Sequence, residues 1–261
     1  MSDEGLRALG TIVKARSATL SESQFYCGVL DYFDHWNKID PRLASHHDVL
    51  STAADVFGHD LVNLATYAHH ILHWLDPDHI VHPECVVAVG AMTESFIVSV
   101  RSACDAIAGV LAYRASSKSN QAPSSSLRAL IDWARDNPSR VNPLIAPILL
   151  GESLEWFWEL RTLRDYIVHS GAHATIHCNG RQFNLWVSSP KLGWITRRPL
   201  LPLLAETLKH MVAFGGQSAH ATNELINFPA DRLRSRFVEG FYVPALHSLI
   251  RVADQYAEPS P

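Results

Sequence analysis

The 261-residue chain is 47% hydrophobic and 18% charged, proportions that suit a folded protein with a sizeable core and exclude a disordered one. Its formal net charge of −4 excludes a global basic field drawing in nucleic acid, so any polyanion site has to be local. Cys27, Cys85, Cys104 and Cys178 are widely spaced with no C-x-x-C pair, and MSDEGLRALG lacks the apolar core of a signal peptide; both point to a reduced, cytosolic protein.

In chain order, helical periodicity covers residues 4–18 and 22–37, the second stretch opened by Ser21 in a capping context. Pro41 and the polar SHHD interrupt it. A helix is expected from about Asp60 to Leu75, ending before DPDH. Pro83 suits a first helical position, and a long helix runs on to about Arg114. Its apolar run, Val86 to Val100, is interrupted by Glu94 and followed by Arg101 and Asp105, which reads as a buried helix rather than a membrane span. Cys85 and Cys104 lie on this helix, where a small buried thiol is expected. SSKSNQAPSSS, 116–126, is a loop by composition. Helices follow at 127–136 and 144–150, and a strong one runs from about Glu152 to Ser170.

The period then changes. ATIHC and RQFNLWV are two strand-like runs around Asn179-Gly180, a strong hairpin signal, and WIT at 194–196 is a candidate third strand. Pro199 and Pro202 reopen a helix through about Phe214, where Gly215 and Gly216 can end or bend it. Residues 231–256 are again helical. The expected fold is an all-α helical bundle with a small β-hairpin inserted after its central helix. It forms one domain over 1–261, with a core of about 60–225 on which the helices of 4–37 and 231–256 pack.

The densest chemistry lies in RTLRDYIVHSG, 161–171. Asp165 and His169 are four apart, so a helix puts them on one face, where the carboxylate can orient the imidazole. Arg161 and Asp165 share that spacing and can pair. Arg164 finds Leu160, Arg161, Ile167 and Val168 at three and four residues to either side, so no acid on its own helix is expected to neutralise it. It needs a carboxylate from another helix, such as Asp105, or an anion, and its planar fork suits phosphate. Arg164 and His169 are about 140° apart around the helix axis, flanking one groove without stacking. Gly171 offers a C-cap, which leaves His169 in the last turn.

RDYIVH, Arg164 to His169, resembles the R-x4-6-H motif of HEPN domains, with a polar residue directly after the arginine. ESFIVSVRSACDAIAGVL, 94–111, resembles the long helix that precedes it in many HEPN-like proteins. The likeness covers roughly residues 84–114 and 152–171. A second arginine-x4-histidine, Arg42 to His47, lacks the helical context, and asparagine is commoner than aspartate at the place of Asp165. The resemblance implies a helical bundle that dimerises and brings two motifs into a cleft. It also implies RNA as ligand and, in many such proteins, metal-independent ribonuclease activity of toxin or defence type, with an antitoxin-type protein as partner and no cofactor. Mapped onto this chain, His169 is general acid or base, Arg164 steadies charge on the phosphate, and Asp165 orients His169 or meets the partner chain. Arg161, Arg101, Arg197 and Arg198 are the candidate RNA contacts. The same fold also serves as a non-catalytic dimerisation or binding module.

Other features carry a structural reading beside a functional one. His69 and His73 are one helical turn apart and could hold a metal with His79 or a nearby acid, or simply favour a helix C-terminus. Trp156, Phe157 and Trp158 are a stacking platform or core. Arg197 and Arg198, with Lys191 and Trp194, are an RNA-facing rim or a solvated loop, and Arg232, Arg234 and Arg236 suit a solvated helix start. Nucleotide-binding loops, serine-hydrolase elbows and zinc C-x-x-C patterns are missing from the sequence.

Overall fold

The computed structural model describes residues 47–76, 83–116, 122–151, 154–179, 182–190, 193–226 and 251. The helices expected at 4–18, 22–37 and 231–256, together with Cys27, Arg42, His79, His82, Lys191, Arg232, Arg234 and Arg236, lie outside the described residues. The elements are α1 (His47–Trp74), α2 (Pro83–Ala115), α3 (Leu127–Asp136), a 3-10 turn at Pro138–Arg140, α4 (Ala146–Leu150), α5 (Glu155–His169), β1 (His173–Asn179), β2 (Gln182–Ser189), β3 (Gly193–Pro199) and α6 (Leu200–Ile226).

The fold is mostly helical, but it is not all-α with a hairpin. The three strands form one antiparallel sheet in the order β1-β2-β3. The candidate third strand at 194–196 extends to seven residues, because Leu185 to Val187 of β2 offer partners to Arg198, Arg197 and Thr196, with a register shift after Val187. Two helices are longer than expected. His47 and Asp48 of SHHD are already helical, and the described α1 begins at His47 rather than near Asp60. Helix α6 continues through Gly215 and Gly216 to Ile226. Leu204, Leu208, Met211, Phe214 and Ala221 are buried at helical spacing, and that apolar stripe outweighs the roughly 1 kcal/mol each glycine costs in a helix.

Helix α2 is the hub. It packs against α1, α3, α5, α6 and β1, and Phe96, Ile97, Val100, Ala103, Cys104 and Leu111 on it are all but inaccessible. By length and composition α2 could cross a membrane, but 78% of its most apolar window is buried inside the fold. Small residues let neighbours come close. At Gly90 a Cβ would lie 2.5 Å from the Ala174 carbonyl oxygen of β1, so only glycine admits the strand there. One turn on, the Glu94 carboxylate accepts the Ala174 amide at 2.6 Å. Ala174 is on the free edge of the sheet's outer strand, so α2 occupies a backbone position that would otherwise be open to pairing.

The expected burial of Cys85 and Cys104 holds, whereas Cys178 is exposed; burial pushes the Cys104 thiol far up. Helix α3 begins where the sequence indicates, with Ser126 Oγ accepting from the Ala129 amide at 3.2 Å.

Candidate functional site

Helix α5 ends as the Ser-Gly pair predicts. The amides of Ser170 and Ala172 both donate to the Tyr166 carbonyl, at 3.1 and 3.2 Å, and Gly171 turns the chain at φ 60° into β1. Ser189 Oγ of β2 donates to the Ser170 carbonyl at 3.2 Å, tying the sheet to the helix end. His169 is therefore the last helical residue, exposed and next to a fixed turn.

Arg164 reaches further than helical spacing suggests. Its Nη1 lies 3.0 Å from Asp165 Oδ1 and 3.0 Å from His169 Nε2. One expectation is corrected here. Arg164 does have an acid on its own helix, the adjacent Asp165, because a guanidinium on a long stem bends back where a short side chain cannot. The same reach carries it across the 140° to His169, as a contact at the groove and not a stack. Asp165 also receives Arg161 Nη2 at 3.2 Å. The carboxylate thus gathers two arginines, and it is Arg164 that reaches the imidazole. Neither Asp105 nor Glu94 serves Arg164: Asp105 accepts from Arg101 and from the Leu127 amide, and Glu94 holds Ala174.

An arginine can only donate, so Nε2 is the acceptor when Arg164 and His169 hydrogen-bond. These side chains are about a quarter to a third exposed or more, so their ion pairs contribute little to stability, roughly 0–1 kcal/mol each. Arg135 and Arg161 lie over the ring of Trp158 at 5.3 and 6.0 Å. The result is a partly exposed cluster of arginines, one histidine and one acid along one flank of α5, with Arg135 of α3 beside it.

The other candidates are dispersed. Arg101 is buried, paired with Asp105 and laid over Phe157 at 4.7 Å; it belongs to the packing of α2 on α5 and not to an exposed rim. Arg198 is on the inward side of β3 and donates to Glu159 of α5, its Nη1 at 3.0 Å from Oε2. Arg197 faces outward over Trp186 at 4.4 Å. Phe157 is core, while Trp156 stacks on His210 with centroids 5.6 Å apart. His69 and His73 lie on α1, and burial, with His70 and His73 nearby, lowers the pKa of His69. Among the described residues no three His, Cys, Asp or Glu side chains converge to hold a metal ion.

Two features escaped the sequence reading. On the opposite flank of α5, a cavity of about 650 Å³ opens between α5, β3 and α6, lined by Trp156, Leu163, Tyr166, Arg198, Leu204 and His210 among others. On the outer side of the sheet, His177 stacks on Trp186 with centroids 3.8 Å apart, beside Arg197. Neither arises from local spacing: each joins residues that the strand register or the tertiary packing brings together. Comparison with protein families, with curated proteins and with solved structures finds no match for this chain.

Proposed function

We propose that this chain is a HEPN-like RNA-binding protein that acts as a cytoplasmic homodimer. It cleaves RNA without a metal, in the manner of a toxin or defence endoribonuclease held in check by an antitoxin-type protein. The observation that supports this most is the exposed Arg164–His169 contact at 3.0 Å beside Asp165 and Arg161.

The chemistry follows from what the contact leaves ready. Nε2 carries no proton and is held by a donor that phosphate would attract more strongly. A phosphodiester seated on Arg164 draws the guanidinium from the imidazole, and Nε2 is then free to take the proton of the adjacent 2′-hydroxyl. The 2′-oxygen bonds to phosphorus, the bond from phosphorus to the 5′-oxygen breaks, and the products are a 2′,3′-cyclic phosphate and a 5′-hydroxyl. The leaving oxygen takes its proton from solvent or from the matching imidazole of a second copy. Arg164 faces the charge that builds on the phosphate, and Asp165 positions Arg164 and Arg161.

A second reading rests on its own observation. Asp165 gathers both arginines within one helix, so the charge is partly compensated before any ligand arrives, as it would be in a non-catalytic dimerisation or binding module.

The test is RNA cleavage by the purified protein in chelator, wild type beside His169→Ala and Arg164→Ala, with helicity and dimer mass followed in parallel. Each variant is expected to lose about 100-fold or more in rate with fold and mass unchanged. If wild type leaves varied RNAs whole, or if either variant cuts at the wild-type rate, the nuclease reading falls and the module reading replaces it.

A further inference from the structure

We propose that the outer face of the β1-β2-β3 sheet is a binding platform for single-stranded nucleic acid, with His177, Trp186 and Arg197 as its stacking centre. The proposal rests on the RNA-directed reading above and adds a second site to it, away from the α5 cluster.

The strand register builds the platform. Thr175, Trp186 and Arg197 are directly opposite one another across the three strands, and His177 is diagonal to Trp186. Alternation sends Phe183, Leu185 and Val187 inward, where they are buried, and leaves His173, Thr175 and His177 on the exposed side. Trp186 is partly buried between its neighbours: the His177 ring lies 3.8 Å away at 26°, and the Arg197 guanidinium lies 4.4 Å from its ring centroid. His177 and Arg197 themselves are exposed. A planar base can therefore add to either end of this stack, on the imidazole or on the guanidinium.

Charge identifies the occupant. From His173 to Pro199 the sequence contains no Asp or Glu, yet it carries Arg181, Lys191, Arg197 and Arg198; Arg198 turns inward to Glu159, so Arg197 is the described cation of the outer face. An acid-free run of this length in a chain of net −4 is a local field for a polyanion. Asn184 and Ser188 of β2 alternate with the inward residues and add neutral hydrogen-bonding groups around the stack. Stacked aromatics, a guanidinium plane and an acid-free stretch of sequence together suit unpaired bases on a phosphate backbone. In a duplex the bases are already stacked on one another and offer no face.

The experiment measures binding of the full chain to labelled single-stranded RNA, single-stranded DNA and duplex of one sequence, by fluorescence anisotropy across a salt series. The proteins are wild type, His177→Ala, Arg197→Ala, Arg197→Lys and, as a control on α3, Arg128→Ala. His177→Ala and Arg197→Ala are expected to weaken single-strand binding about tenfold or more, and Arg128→Ala to leave it unchanged. Arg197→Lys keeps the charge without the plane, so it is expected to weaken binding while retaining the salt dependence of wild type. A preference for RNA over DNA assigns the source as RNA; equal binding assigns recognition to base and phosphate alone. The inference is overturned if wild type binds no single strand, if duplex binds as tightly, or if both alanine variants bind like wild type. Weakened binding in these variants, with no RNA cut by wild type, leaves the platform standing and removes the nuclease reading. Cleavage that depends on His169 but is indifferent to His177 and Arg197 does the reverse.

Discussion

Gly171 shows how one backbone angle positions the imidazole. It occupies φ 60° with open space around it, so a methyl group there would meet no neighbour and only the backbone would resist. Gly171→Ala is expected to cost about 1–2 kcal/mol, read as a lower midpoint in urea with an unchanged slope. A loss well below this range would mean that the turn relaxes and that the end of α5 is not held as described. The motif itself was legible in the sequence because 161, 165 and 169 recur at helical spacing. Its wiring was not. Which atom Arg164 touches depends on three or four side-chain torsions that spacing leaves open, and the guanidinium chose the adjacent acid and the imidazole five residues on.

Among the elements, the junction of α2 with β1 is the tightest described. Gly90 admits the Ala174 carbonyl and Glu94 binds the Ala174 amide, so one residue of the strand is gripped through both of its backbone groups. Alanine normally improves a helix interior by roughly 1 kcal/mol over glycine. Here Gly90→Ala is expected to destabilise by about 1–3 kcal/mol, because the new methyl meets backbone oxygen and the helix or the strand must shift; thermal unfolding of the variant checks the sign. A stabilised variant would show that α2 and β1 do not pack as described. The sequence reading found α2, α3, α5 and the hairpin from helical periodicity, the first-turn proline, the C-cap glycine and the Asn-Gly turn, which are local signals. It cut α1 and α6 short and reduced β3 to three residues, because there the deciding forces are non-local. An apolar stripe carries α6 through two glycines, and β3 owes its length to partners on β2.

At the scale of the whole molecule, one buried acid makes stability depend on pH. Asp60 of α1 is 6% exposed, its Oδ2 has no hydrogen-bond partner among the described residues, and its pKa is raised, chiefly by burial, against a smaller opposing effect of a bond from Ser102. A raised acid binds its proton more tightly in the folded state than in the unfolded one. Stability from this group is therefore full below about 3.8, the ordinary aspartate value, and declines as pH rises through the higher folded value. Asp60→Asn is expected to raise the melting temperature at neutral pH and to flatten this decline; equal melting curves for both proteins from pH 4 to 8 would contradict it. Composition indicated a folded molecule with a sizeable core and periodicity its mostly helical class, but net charge concealed how unevenly the charges are distributed along the sequence. At pH 6.4, where the sequence as a whole is close to neutral, the sheet keeps its arginines while acids elsewhere balance them. Arg197 keeps its charge at that pH, so the pull on a polyanion proposed above for the outer face of the sheet would persist where the net charge of the whole chain vanishes.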